Sequence, residues 1–308
     1  MAATDTVTGR EVDLRGRAVY LRSVGAESGP ALVLLHGIPM SSYLWRRCLP
    51  ALDAALPGWR ILAPDLPGYG RSAPRPGAGP RHLGCFLDAL LRELGVADFA
   101  LAGHDLGGLV ALTYAASHAR VDGAPRLSHL ILLDTTIYPA PLLVLGLLPA
   151  LVPPIAEVSF AWLARQDEAA RRRRHVAGLR ALLAPSTVLT PEDEAEYSAP
   201  YAGMTGWREA RRSVRALAGQ TAFVLHCLAH LRDVTVPTAL IWGERDPFFP
   251  LATAERLRRA IPGARDPVHV VRGAGHFVPE DRPEEVADAI AAFLLTTPPT
   301  HRRLPAAP

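Results

Sequence analysis

The 308-residue chain has no lysine. All 33 basic residues are arginine, set against 30 acidic ones, for a formal charge of +3 at pH 7. With no lysine amine there is no Schiff-base chemistry, no pyridoxal phosphate attachment and no Walker A phosphate loop. The high isoelectric point reflects arginine rather than a strong charge excess, so nucleic-acid binding is not indicated. Cysteine is scarce: Cys48, Cys85 and Cys227 are odd in number, widely spaced and without a C-x-x-C. That argues against a disulfide framework and fits a reducing cytoplasm. A long apolar run is also missing. The most apolar stretch, Ala140 to Ile155, is broken by Pro141, Pro149, Pro153 and Pro154, with Pro139 just before it. It is too short and too interrupted for a membrane span. Met1 to Arg10 is polar and lacks the apolar core of a signal peptide. No internal repeat is present.

Half of the residues are apolar and a fifth are charged, as in an ordinary globular enzyme. The length fits one large domain or a core with an insertion. The sequence centres on Phe99 to Leu112, which reads as a short apolar strand, a sharp turn and a helix. Asp105 occupies the turn, with Gly103 two residues before it and Gly107 two after. Glycine is needed there because side chains at those positions collide in a strained strand-to-helix turn. Leu106, Leu109, Val110 and Thr113 then fall at helical spacing. The helix N-terminus aims backbone N–H groups at whatever Asp105 holds. Taken alone, the same pattern also fits an acid that merely caps the helix of another doubly wound protein.

Strand and helix alternate on either side of this turn, which predicts a mostly parallel sheet with helices on both faces. Residues 11–24 read as a hairpin turning near Arg15-Gly16, Ala31–Leu35 as a buried strand, and about 42–56 as a helix. Strands follow at Arg60–Ala63, 99–103, Leu127–Leu133, Val236–Trp242 and Val268–Val271, with helices over 82–94 and about 251–260 and a closing helix striped by Val286, Ala289, Ile290 and Phe293. From about Ile137 to Arg232 the alternation breaks into a proline-punctuated, helical, strand-poor block.

The elbow with aspartate in place of serine resembles the α/β-hydrolase fold, in its epoxide hydrolase and haloalkane dehalogenase branch. His36-Gly37-Ile38-Pro39 with the following Met40 to Arg46, and Pro64-Asp65-Leu66-Pro67-Gly68-Tyr69-Gly70-Arg71-Ser72, resemble two further motifs of that branch. The resemblance covers most of the chain. It implies a core of residues 1–136 and 233–297, a helical cap of residues 137–232 roofing the site, and a tail at 298–308. It also implies Asp105 as nucleophile, Asp246 in Gly243-Glu244-Arg245-Asp246-Pro247 as the acid, and His276 in Gly273-Ala274-Gly275-His276 as the base. Asp134, after the preceding strand, is the alternative acid. The backbone N–H groups of Ile38 and Leu106 would form the oxyanion hole, and His36 would support its turn.

An aspartate nucleophile is already ionised. It would attack an electrophilic saturated carbon and form an ester, which water activated by His276 would then hydrolyse. No cofactor or metal is needed. His226 and His230 stand four apart but lack a carboxylate at ligand spacing, and Arg171–Arg174 reads as a solvated helix face. Family dehalogenases hold the halide with Trp after the nucleophile and a polar residue after His-Gly, where this chain has Leu106 and Ile38. Family epoxide hydrolases protonate the ring oxygen from two cap tyrosines. The candidates are Tyr197, Tyr201 and Tyr138, although Tyr197 and Tyr201 fit surface packing equally well. The expected partners are water and a small hydrophobic substrate, most simply an epoxide, acted on by a monomer or homodimer. Haloalkane dehalogenation is the alternative, with a non-catalytic receptor or a lyase on the same scaffold as a different class.

Overall fold

The computed structural model describes residues 7–75, 77–117, 123–138 and 152–299. Its strands are β1 (Thr8–Asp13), β2 (Ala18–Gly25), β3 (Ala31–Leu35), β4 (Arg60–Pro64), β5 (Asp98–His104), β6 (Arg126–Leu133), β7 (Thr238–Gly243) and β8 (His269–Val271). They form one sheet in the order β1-β2-β4-β3-β5-β6-β7-β8. β1 and β2, and β2 and β4, pair antiparallel, and every other pairing is parallel. Successive side chains of a strand point to opposite faces, so an unbroken apolar run needs cover on both. β3 meets that condition: Ala31, Val33 and Leu35 enter one hydrophobic cluster, and Leu32 and Leu34 enter the other. β5 divides in the same way, Phe99 and Leu101 against Ala100 and Ala102.

The helices, in chain order, are α1 (Cys48–Ala55), α2 (Pro80–Glu93), α3 (Leu106–Ala116), α4 (Pro153–Arg165), α5 (Glu168–Arg180), α6 (Pro191–Ala202), α7 (Thr205–Gly219), α8 (Thr221–Ala229), α9 (Leu251–Ala260), α10 (Val278–Asp281) and α11 (Pro283–Thr296). Leu49 and Leu52 of α1 pack with Val286, Ile290 and Leu294 of α11 on one face of the sheet. Residues of α2, α3 and α9 join the cluster on the other. The hairpin turns where expected, with Arg15 and Gly16 at φ 56° and 75°. The helix expected over 42–56 is two pieces, a 3-10 turn at Ser42–Trp45 and then α1. Pro50 explains the restart. It lacks an N–H and so fits only the first turn of a new helix.

Between β6 and β7 the described residues hold helices α4 to α8 and no strand. Residues 139–151, which contain three of the expected prolines, lie outside the described residues. No helix among the described residues is long and apolar enough to cross a membrane.

A buried ion cluster fastens this helical block to the sheet. Thr190 and Asp193 close a capping box at the start of α6. Asp193 also pairs with Arg46 at 2.6 Å and Arg47 at 3.0 Å, and accepts the Tyr43 hydroxyl at 3.0 Å. Arg46 in turn forks onto Glu280 of α10, at 2.5 and 2.8 Å. The Glu280 side chain has no exposed surface. Removing its partner would leave a buried charge uncompensated, which costs about 3–5 kcal/mol. Arg46→Met is therefore expected to lower Tm by roughly 5–10 °C; a thermal melt within a degree of the parent would show that Arg47 alone suffices.

Candidate active site

The turn from β5 into α3 puts Asp105 at φ 51° and ψ −117°, a conformation that strains any residue with a side chain. The neighbouring glycines allow it. A Cβ on Gly107 would stand 2.5 Å from the Leu35 carbonyl oxygen and 2.7 Å from that of His36. A Cβ on Gly103 would enter the Gly107 carbonyl. The backbone is braced by the Thr135 hydroxyl, which donates to the Asp105 carbonyl at 2.6 Å. The carboxylate accepts the Ile38 N–H at 2.8 Å, and the Leu106 N–H lies against it. Burial raises the Asp105 pKa, although the nearby His276 and these two N–H groups oppose the shift.

His276 follows β8 by five residues. Its Nδ1 lies 2.9 Å from Asp246 Oδ2. The other Asp246 oxygen accepts the N–H groups of Phe248 and Phe249 at 2.7 and 3.1 Å. With Nδ1 facing a carboxylate, the network assigns it the proton and leaves Nε2 as the basic nitrogen. Burial lowers the His276 pKa, but Asp246 and Asp105 outweigh it, so the pKa ends above its ordinary value. Burial raises that of Asp246, but His276 and the two backbone donors outweigh it, so the acid ends below the ordinary value. The imidazole is walled by Phe248, Phe249, Phe277 and His104, with ring centroids 5.2, 5.6, 5.0 and 4.9 Å away.

Asp134 is not the partner of this imidazole. Its Oδ1 accepts the Gly243 N–H at 2.8 Å, and its other oxygen is buried near Asp246. Burial and then the charge of Asp246 push its pKa well above the usual carboxylate range.

His36 joins two loops. One ring nitrogen lies 2.9 Å from the Gly37 carbonyl oxygen, and Nε2 accepts the Leu66 N–H at 2.9 Å. Burial lowers its pKa, as suits a neutral structural group. His104, to which the sequence reading gave no role, reaches the His276 carbonyl oxygen at 2.7 Å, and burial drives its pKa down to about 3. Its one sequence signal is its place just before Asp105. Asp65 was likewise unassigned. It accepts the Ser42 and Arg71 N–H groups at 2.6 and 2.8 Å and so ties the loop after β3 to the loop after β4.

Among the described residues, no contact gathers the three candidate tyrosines over Asp105. Tyr197 donates to Glu280 at 2.5 Å and accepts from Arg46 at 3.1 Å, inside the ion cluster. Tyr201 donates to the Pro39 carbonyl at 3.1 Å and stacks on His175 at 3.8 Å. The Tyr138 ring lies under the Arg256 guanidinium, 3.7 Å from it. His226 and His230 have ring centroids 4.3 Å apart, and among the described residues no group of three or more potential ligands could hold a metal. Of the arginine run, Arg171 donates to the Ala202 carbonyl at 2.6 Å, and Arg172 pairs with Glu168 on the surface.

Comparison with known proteins agrees with this architecture. A haloalkane dehalogenase of Mycobacterium marinum is 32% identical over 281 residues, covering 87% of this chain and 86% of its own. Epoxide hydrolase A of Mycobacterium tuberculosis is 28% identical over 324 residues, covering 93% and 97%. Among solved structures, a ligand-free epoxide hydrolase superposes with TM-score 0.75 at 24% identity, covering 94% of this chain and 99% of its own. A haloalkane dehalogenase from Bradyrhizobium elkani gives 0.75 at 23% identity, covering 95% and 100%. The family model for the alpha/beta hydrolase fold matches residues 30–283, so the chain belongs to that family, as a hydrolase of the branch that holds epoxide hydrolases and haloalkane dehalogenases.

Proposed function

We propose that this hydrolase works through an ester on Asp105 and that its substrate is a hydrophobic epoxide. The observation that carries the reading is the placing of one ionisable carboxylate, on a strained turn, under the Ile38 N–H and within the field of a histidine whose Nδ1 is held by Asp246. In the first half-reaction an Asp105 oxygen attacks a ring carbon. The ring C–O bond breaks with its electron pair on the oxygen, which takes up a proton, and a 2-hydroxyalkyl ester remains; the same proton count is returned when hydrolysis restores the Asp105 carboxylate. In the second, water adds to the ester carbonyl as His276 takes its proton, and the Ile38 and Leu106 N–H groups hold the oxyanion. Asp246 keeps the ring oriented and stabilises its protonated form. Residues 137–232 act as the cap over this site, with residues 1–136 and 233–297 as the core.

Dehalogenation is the second reading, favoured by the 32% identical relative of that name. Against it stand two apolar side chains, Ile38 and Leu106, where that activity wants donors to a halide, in a chain that contains no asparagine.

His276→Gln separates the readings. Incubated with a mixture of terminal epoxides and bromoalkanes, it is expected to accumulate an adduct on Asp105 equal to the whole epoxide mass, seen by intact mass and peptide mapping. An alkyl adduct lacking bromine would make the chain a dehalogenase with unfamiliar halide ligands. No adduct with any member would overturn the ester mechanism and favour a lyase or a receptor.

A further inference from the structure

Of the six large apolar side chains that the described residues leave exposed, three stand on α4: Ile155, Val158 and Trp162, at 46%, 71% and 45%. Their spacing of three and four puts them on one face of the helix. Ala156 and Leu163 point elsewhere and are buried, so α4 is already seated by another side. Arg165 continues the exposed stripe, and the Arg174 guanidinium of α5 lies 4.8 Å from the centre of the Trp162 ring. Arg173, next to it in α5, is exposed as well. The acidic groups of these two helices are taken. Glu157 pairs with Arg211 at 2.6 Å, Glu168 pairs with Arg172 at 2.9 Å, and Asp167 accepts the Ala170 N–H at 2.7 Å. Arg165, Arg173 and Arg174 have no acidic partner among the described residues. The sequence leading into α4, Pro139 to Ala156, holds no polar side chain. Single apolar residues on a surface need no explanation, whereas a row of them rimmed by charge of one sign marks a binding face.

We infer that this face of α4 and α5 docks on an anionic lipid surface. Ile155 and Val158 enter the acyl boundary, Trp162 sits at headgroup depth, where an indole is favoured, and the three arginines meet lipid phosphates. The charge selects this occupant over a second copy of the chain. A symmetric pair would set the same three cations against one another across the contact, whereas anionic headgroups neutralise them. The stripe and the arginines act as two signals, since a short apolar patch or a few cations alone hold a protein at a membrane only marginally. The docking lies on the bilayer and does not cross it, as no helix among the described residues is long and apolar enough to do so. None of this depends on the ester chemistry. With a hydrophobic epoxide as substrate, it would set the helical block against the phase in which that substrate dissolves.

The test is co-sedimentation of the full-length protein, at low salt, with vesicles of phosphatidylcholine alone or with a third of the lipid replaced by phosphatidylglycerol. The parent is expected to sediment with the mixed vesicles, to stay behind with the neutral ones, and to come off in high salt. Each arginine near an anionic surface is worth roughly fivefold in affinity, so Arg165→Gln/Arg173→Gln/Arg174→Gln should weaken mixed-vesicle binding about a hundredfold. Val158→Ser/Trp162→Ser should weaken it at least about tenfold through lost apolar burial. The altered side chains are exposed, so both variants should keep the parent's Tm. If the serine variant loses its fold, the glutamine variant alone decides. A parent that stays in solution with mixed vesicles overturns the inference, and so does undiminished binding by a folded variant. A parent dimer that Val158→Ser/Trp162→Ser dissociates, without vesicle binding, overturns it in favour of a second copy. The adduct on Asp105 is followed separately, and its fate bears on none of these outcomes.

Discussion

Replacing Asp105 by glycine is expected to abolish turnover and to raise thermal stability. A side chain at φ 51° and ψ −117° costs of order 1–3 kcal/mol, and glycine adopts that conformation freely. The change also removes a charge that burial disfavours. Two effects oppose the gain. Glycine loses about 0.5–1 kcal/mol more chain entropy on folding, and the Ile38 and Leu106 N–H groups lose their acceptor. The net is a gain of about 1–2 kcal/mol, or roughly 2–4 °C in Tm. Epoxide hydrolysis should fall by roughly 10⁴–10⁶, the scale on which nucleophile removal acts in other covalent hydrolases. A thermal melt and a diol assay on the same preparation check both halves. A lower Tm would mean that the carboxylate stabilises the fold more than its strained backbone costs. Retained turnover would remove Asp105 from the chemistry.

Asp246→Asn should produce a different failure. An aspartate nucleophile gives up no proton as it attacks, so ester formation should survive and an adduct should build up despite the intact histidine. Hydrolysis of that ester should slow by about 10⁴, as when an orienting aspartate is made neutral and its histidine is held in the wrong tautomer. The pH dependence gives the sign. His276 must be neutral to accept a proton, so deacylation rises with pH through the histidine pKa. In the ester Asp105 carries no charge, so Asp246 is the group that raises that pKa in this step. Losing the Asp246 charge should therefore move the acidic limb of the deacylation profile to lower pH. Stopped-flow chase of the preformed ester measures both effects. An unmoved limb with unchanged deacylation would mean that Asp134, 0% exposed and bonded to the end of β7, has taken over.

The sheet was legible because its strands are local. Ala31–Leu35 is apolar throughout, as are Phe99–Ala102 of β5 and Leu130–Leu133 of β6. Helix α9 begins and ends at the residues the pattern suggested. The block after Ile137 showed only that it was helical, since the ends of its helices depend on caps such as Thr190 and on packing. The miss at 42–56 turned on Pro50, whose effect is local but was outweighed by the apolar spacing around it. Within the candidate site, Asp105, Ile38, His276 and Asp246 carry short motifs, so their meeting could be anticipated. The destinations of the tyrosine hydroxyls could not. Tyr197 meets Glu280 across 83 residues and Arg46 across 151, and nothing in the sequence near Tyr197 announces either partner.

The loop that carries His276 is stitched to the helical block through main-chain atoms. The His276 N–H donates to the Leu182 carbonyl at 2.9 Å. Asp281 accepts from Gly275 at 2.7 Å on one oxygen, and from Ala184 and Thr187 at 2.9 and 2.6 Å on the other. The path of residues 182–184 thus matters more than their side chains, whereas Thr187 contributes its hydroxyl. A chimaera that carries a relative's roof on this core would tolerate new residues at 182–184, but not a change in the course of the chain there. The helices that follow Thr190 lie beyond these bonds, so an exchange that begins there would leave the fastening of the His276 loop intact.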